Sequence, residues 1–146
     1  MHTTFKYFTL IVLCLVGAFI MSACSGQTPP DIRVENGHMR LPAPGQSTGA
    51  AYFDIINDGG ADVLISAATP ISDRVELHTH IHENGIMKMR KQDKIDIKAD
   101  ATTLFKSRGL HVMIFNAHIP EDGRDIPLTL TFEKTGDVQI LLAQDK

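Results

Sequence analysis

From Asp31 onward, apolar and polar residues alternate in short runs. In IPLTLTFE, residues 126 to 133, Leu128, Leu130 and Phe132 fall on one side, with Thr129 and Thr131 on the other. In RVELHTH, residues 74 to 80, Val75, Leu77 and Thr79 share a side opposite Glu76, His78 and His80. DIRVENG, TGAAYFDIIN, ADVLISAATP, IMKMRK, KIDIKA, TLF, HVMIFNA and DVQILLA have the same character, and turn signals such as NDGG (57–60) and ENG (83–85) separate them. No run carries a helical period long enough to form a helix. The pattern predicts an all-β domain of about eight or nine strands, a sandwich or barrel of Greek-key type.

The first residues follow a different rule. MHTTFKYFTLIVLCLVGAFIMSAC places Lys6 near the start, an apolar run from Phe8 to Met21, then the small residues Ser22 and Ala23 before Cys24. A charged start, an apolar centre and a small-residue cleavage site describe an export signal. The apolar run is shorter than the ~20 residues a membrane-spanning helix needs. MSAC resembles the bacterial lipobox, in which the cysteine is lipidated and the signal is cut before it. The expected organisation is a lipoprotein-type signal peptide over residues 1–23, a Ser/Gly/Pro tether over 24–30 and one β-sandwich domain over 31–146. Acyl chains on Cys24 would hold that domain at a membrane surface.

Composition sharpens this picture in two places. The hydrophobic share of 43% and charged share of 21% are those of a globular chain able to bury a core, which argues against disorder. The net charge is −3 and no dense Lys/Arg cluster occurs, which argues against a nucleic-acid surface. Both cysteines, Cys14 and Cys24, lie in the N-terminal segment, so a processed domain has neither a free thiol nor a disulfide. Soft-metal chemistry then falls to Met and His.

Those residues are concentrated. HTHIHENGIMKM, residues 78 to 89, carries His78, His80 and His82 at alternate positions, followed by Met87 and Met89. His111 and Met113 share one face of HVMIF, with Val112 and Ile114 on the other. Thioether sulfur is soft and uncharged and selects Cu(I) over zinc, calcium or magnesium, while imidazole binds copper in either redox state. Without a cysteine thiolate the domain lacks a blue-copper ligand set. No nucleophile elbow, HExxH or working carboxylate pair is present, so the chain is not expected to be an enzyme.

The spacing H-x10-M-x21-H-x-M, formed by His78, Met89, His111 and Met113, resembles the signature of the periplasmic PCu(A)C-type copper chaperones. VELHTHIHENGIMKMRKQDKIDIKADATTLFKSRGLHVMIFN and PAPGQSTGAAYFDIINDGGADVLISAAT resemble that family as well, and the similarity spans about residues 31 to 142. The resemblance implies a cupredoxin-like β-sandwich that binds one Cu(I) near its surface through His78, Met89, His111 and Met113. It also implies an extracytoplasmic location and delivery of copper to an acceptor, the CuA centre of cytochrome c oxidase or a partner chaperone. The chain departs from the family in having no Trp near His38 or Met39, in ending at LLAQDK without a His/Met-rich tail, and in carrying His80, His82 and His118 as extra histidines.

Blander roles are expected around this set. Met87 is read as a packing or turn residue, His118 as a loop histidine, and His80 and His82 as solvated strand residues or auxiliary Cu(II) ligands. Glu76 and Asp54 are candidate acceptors that would orient a ligand histidine. Rival readings are a copper-buffering protein with the same site and an exported β-sandwich that serves only as an interaction module.

Overall fold

A computed structural model describes residues 28–145. The expected signal peptide and the lipidation site Cys24 lie outside the described residues, as does most of the tether. The described residues form β1 (Ile32–Arg40), β2 (Gly49–Asn57), β3 (Asp62–Ala68), β4 (Arg74–Glu83), β5 (Ile86–Gln92), β6 (Ile95–Ile97), β7 (Ala101–Phe105), β8 (His111–Phe115), β9 (Ile126–Phe132) and β10 (Gly136–Asp145). Each strand-like run of the sequence becomes a strand, ten among the described residues against the eight or nine expected because the short β6 and β7 form separate strands, and none of the described residues is helical. No helix among them is long and apolar enough to cross a membrane.

The strands pair in the order β5-β4-β8-β2-β1-β10-β9-β3-β6, with β7 also pairing β2. The crossovers from β8 to β2 and from β9 to β3 make the Greek-key character of an all-β sandwich. β10 joins the two sheets: residues from Gly136 to Leu142 pair with β9, and those from Ala143 to Asp145 run parallel to β1. The core lies between the sheets and is filled by Met39, Phe53, Leu64, Phe105, Ile114, Leu128, Leu130 and Phe132, each nearly or fully buried. Phe53 and Phe105 stack with ring centroids 4.4 Å apart.

Two local devices set the register. β1 continues past DIRVENG because a bulge between Glu35 and His38, with Asn36 at φ 56°, restores pairing to β2. Met39 therefore enters the core, while His38 and Arg40 lie on the outer face with Tyr52 and Ala50, their register partners. In ENG, Asn84 (φ 53°) and Gly85 (φ 76°) form a two-residue turn between the paired residues Glu83 and Ile86. Two positive φ angles in such a loop match the right-handed twist of a hairpin.

Asp62 is 2% exposed and joins β3 to the β9–β10 turn, accepting bonds from Thr135 Oγ1 (2.6 Å) and the backbone N–H groups of Lys134 and Thr135 (both 2.9 Å). Burial pushes its carboxyl upward, but these bonds outweigh that effect and hold it below the ordinary range. At the far end of β2, the N-terminal stretch is fastened to the β2–β3 turn. Gly60 N–H donates to Pro29 O (3.0 Å), and Asp31 N–H donates to Asn57 Oδ1 (3.1 Å). A Cβ at Gly60 would lie 1.8 Å from Thr28 O, so only glycine allows that approach.

Candidate metal centre

The His/Met residues meet on the outer face of the β5-β4-β8 sheet. Cross-strand register pairs His78 with His111 and Glu76 with Met113. On the other side of β4 it pairs His80 with Met89 and His82 with Met87. Directly paired residues share a face, so the side chains of all eight project from the same surface. The site is thus assembled by neighbouring strands rather than by loops gathered at one end of the sandwich.

Beside this surface lies a cavity of about 540 Å³, lined by His80, Met89, His111, Met113, Arg40 and Tyr52 among others. The loops after β1 and β7 form its rim. Of the residues in the H-x10-M-x21-H-x-M spacing, Met89, His111 and Met113 line the cavity. His78 stands beside it, its ring centroid 5.8 Å from that of His111. His80 sits closer, stacked on His111 at 5.0 Å.

Hydrogen bonding gives the two motif histidines a common arrangement. His111 is 2% exposed, and its Nδ1 bonds to Gly109 O at 2.9 Å. A carbonyl only accepts, so Nδ1 carries the proton and Nε2 keeps its lone pair. That Nε2 is buried without a hydrogen-bond partner. His78 is the mirror case: its Nε2 bonds to Glu76 Oε2 at 2.9 Å, leaving Nδ1 buried without a partner. Buried ring nitrogens are ordinarily satisfied. A histidine with one nitrogen tied to an acceptor and the other left open is the form a metal ligand takes. His80 Nδ1 is a third buried nitrogen of this kind.

The electrostatics disfavour a proton on His111. Burial lowers the pKa of His111, against a smaller upward pull from its bond to Gly109, and His80, His78 and Arg40 lower it further. The hydrogen bond from His78, then that from Arg74, hold the Glu76 carboxyl below its ordinary range. Among the described residues, no group of three His, Cys, Asp or Glu side chains is placed to hold an ion by itself. Met89 and Met113 add two thioethers to the same face.

The remaining candidates separate cleanly. Glu76 bonds to His78, whereas Asp54 instead accepts from Asn36 Nδ2 at 2.7 Å and bonds to neither His78 nor His111. His82 and Met87 are exposed at the hairpin end, Met87 by 42%. His118 lies beside Pro70 and Ile71, away from the His/Met face. Sequence reasoning missed Tyr52 and Arg40. Tyr52 is buried with its ring 6.4 Å from that of His111, and only the bulged β1–β2 register brings Arg40 onto the face.

Fold and site together define an all-β sandwich with a His/Met face, and known proteins share that fold. The copper-bound PCuAC domain from PmoF2 is 23% identical, covering 78% of this chain and 92% of that one, with a TM-score of 0.66. The apo PCuAC domain from PmoF1 is 24% identical, with the same coverages and a TM-score of 0.65. The solution structure of CuI-DR1885 from Deinococcus radiodurans is 23% identical, covering 85% of this chain and 83% of that one, with a TM-score of 0.64. No curated protein matches in sequence. The chain belongs to the LpqE-like family, described as putative lipoprotein LpqE-like, whose pattern matches residues 32–143.

Proposed function

We propose that this chain is a copper chaperone. It holds one Cu(I) on His78, Met89, His111 and Met113 and passes it to an acceptor by ligand exchange. The observation that carries this reading is the pair of buried, open ring nitrogens, His78 Nδ1 and His111 Nε2, each on a ring fixed from its other side. They stand beside two thioethers on a face with a single carboxylate, Glu76, which is already engaged by His78. Neutral sulfur and imidazole favour Cu(I) over harder ions. The copper named for the PmoF2 and DR1885 domains of the same fold agrees with that chemistry.

The acceptor we favour is the CuA centre of cytochrome c oxidase or its assembly partner, with the chain held at an outward-facing membrane surface by a lipid on Cys24. The family description as putative lipoproteins supports the anchor. The fastening of residues 28–31 supports the orientation. It lies at the Asn57 end of β2, whereas Ala50 and Tyr52 mark the metal end. At about 3.3 Å per residue, the two ends are roughly 20 Å apart, which turns the metal face away from the anchored end.

The test is an anaerobic Cu(I) titration of the full-length chain against a chromophoric chelator, followed by mixing with an apo CuA domain. One tight equivalent, weakened by Met113→Leu and by His111→Ala and then transferred, is the expected result. Absence of a tight equivalent would leave the interaction-module reading in its place. Tight binding without transfer would favour the buffer.

A further inference from the structure

The donor face does not stop at the cavity. Beyond His78 and His111, the β4–β5 register adds a rung of His80 with Met89, then an outermost rung of His82 with Met87. Successive same-face positions along a strand are about 6.6 Å apart, at about 3.3 Å per residue. The rungs therefore form a file of N and S donors from the buried His111 to the exposed end of the hairpin.

The chemistry of this outer end is selective. His82 and Met87 are exposed, and Met89 is 43% exposed. His80 lies half-buried between the ends, with its Nδ1 unpartnered. Beyond His78 the hairpin's charges sit on its opposite face, where Glu83 pairs with Lys88 at 2.6 Å and with Arg90 at 3.7 Å; Lys91, the partner of His78, stays inboard on the donor face, 3.8 Å from Glu76. The donor face beyond His78 thus offers imidazole and thioether without a carboxylate, which suits Cu(I) and excludes ions that need oxygen. Cu(I) tolerates low coordination numbers, so one histidine and one methionine can hold it weakly.

We propose that His82 and Met87, backed by His80, form a second and weaker Cu(I) site at the end of the β4–β5 hairpin. It serves as a staging point through which the ion enters and leaves the cavity. The staging role rests on the chaperone reading of the inner site; the existence of the outer site does not.

The experiment uses the full-length chain under anaerobic conditions, with Cu(I) buffered by chelators of graded strength and Ag(I) as a diamagnetic probe in methionine-methyl NMR. Wild type should take a second equivalent, weaker than the first by about tenfold or more, and its filling should shift the Met87 methyl. The double substitution His82→Ala/Met87→Leu should abolish the second equivalent and leave the first unchanged. It should also slow copper transfer from the loaded protein. A single equivalent in wild type, or a second one indifferent to the double substitution, overturns the proposal. If the Met87 equivalent binds while no tight inner equivalent exists, the hairpin site stands and the chaperone reading fails. Loss of the second equivalent with an unchanged transfer rate would overturn the staging role.

Discussion

Strand β9 and the β4–β5 hairpin alternate equally well, yet they meet opposite fates. In β9 the inward residues Ile126, Leu128, Leu130 and Phe132 are at most 2% exposed. In the hairpin, Leu77 is the last buried residue of β4. Beyond it, Ile81 (37% exposed) and Ile86 (60%) emerge on one side, and His82 and Met87 on the other. Alternation reports that a strand has two faces; it does not say that either one is covered. β9 is held by what it buries. The hairpin is held by cross-strand pairing and by the Asn84–Gly85 turn, which leaves its side chains free to act on ligands.

That contrast can be broken by substitution, and the largest effect should fall on β9. Leu130→Ala removes a fully buried side chain and should cost about 2–5 kcal/mol, read from urea denaturation. His82→Ala on the hairpin should move the same transition by less than about 0.5 kcal/mol. A comparable loss from both would mean that the hairpin is part of the core.

Met113→Leu sharpens the contrast at the His/Met face. Its volume is nearly conserved, so stability should change by less than about 1.5 kcal/mol. Cu(I) affinity should fall by more than about 100-fold, beyond the range ordinarily seen for partners that only orient a ligand. Unchanged affinity would remove Met113 from the ligand set.

Asp62 tests polar rather than apolar anchoring. Its folded pKa is held below the ordinary value, so its contribution is present above the unfolded-state pKa and is lost as pH falls through the folded one. Asp62→Asn should cost about 1.5–3 kcal/mol at neutral pH and less in acid. Denaturation midpoints at the two pH values compare the two, and an equal cost at both would contradict the assignment.

Smaller effects are expected behind the proposed ligands. Glu76→Gln should weaken Cu(I) binding by about 10–100-fold without unfolding the chain. His111 should titrate below its ordinary 6.5 in an NMR experiment on the apo protein. Its neutral form therefore resists protonation through the usual histidine range, and the stability that depends on that neutrality declines as pH falls from about 6.5 toward its folded pKa. Arg40→Gln should move that titration upward slightly, because a nearby positive charge is removed. An upward-shifted His111 in the native chain would contradict the burial argument.

What could be read from the chain itself was whatever depends on neighbours in sequence. Short strand-like runs split by turn signals marked the strands, ENG marked its hairpin, and parity put His111 with Met113 and His78 with His80. Parity also separated Val112 and Ile114 from the site face, and both are fully buried. Motif spacing selected His78, Met89, His111 and Met113, but it could not say which would line a common cavity. Tertiary structure decided that, because cavity membership depends on which strands become neighbours and in what register. The β4–β8 register set His78 against His111, the β4–β5 register set His80 against Met89, the bulge at Asn36 delivered Arg40, and the β2–β8 pairing placed Tyr52 beside His111. A shift of one residue in any of these pairings would turn the donors to the other face. The side chains alone specify soft-donor chemistry; only the assembled sheet specifies a place for it.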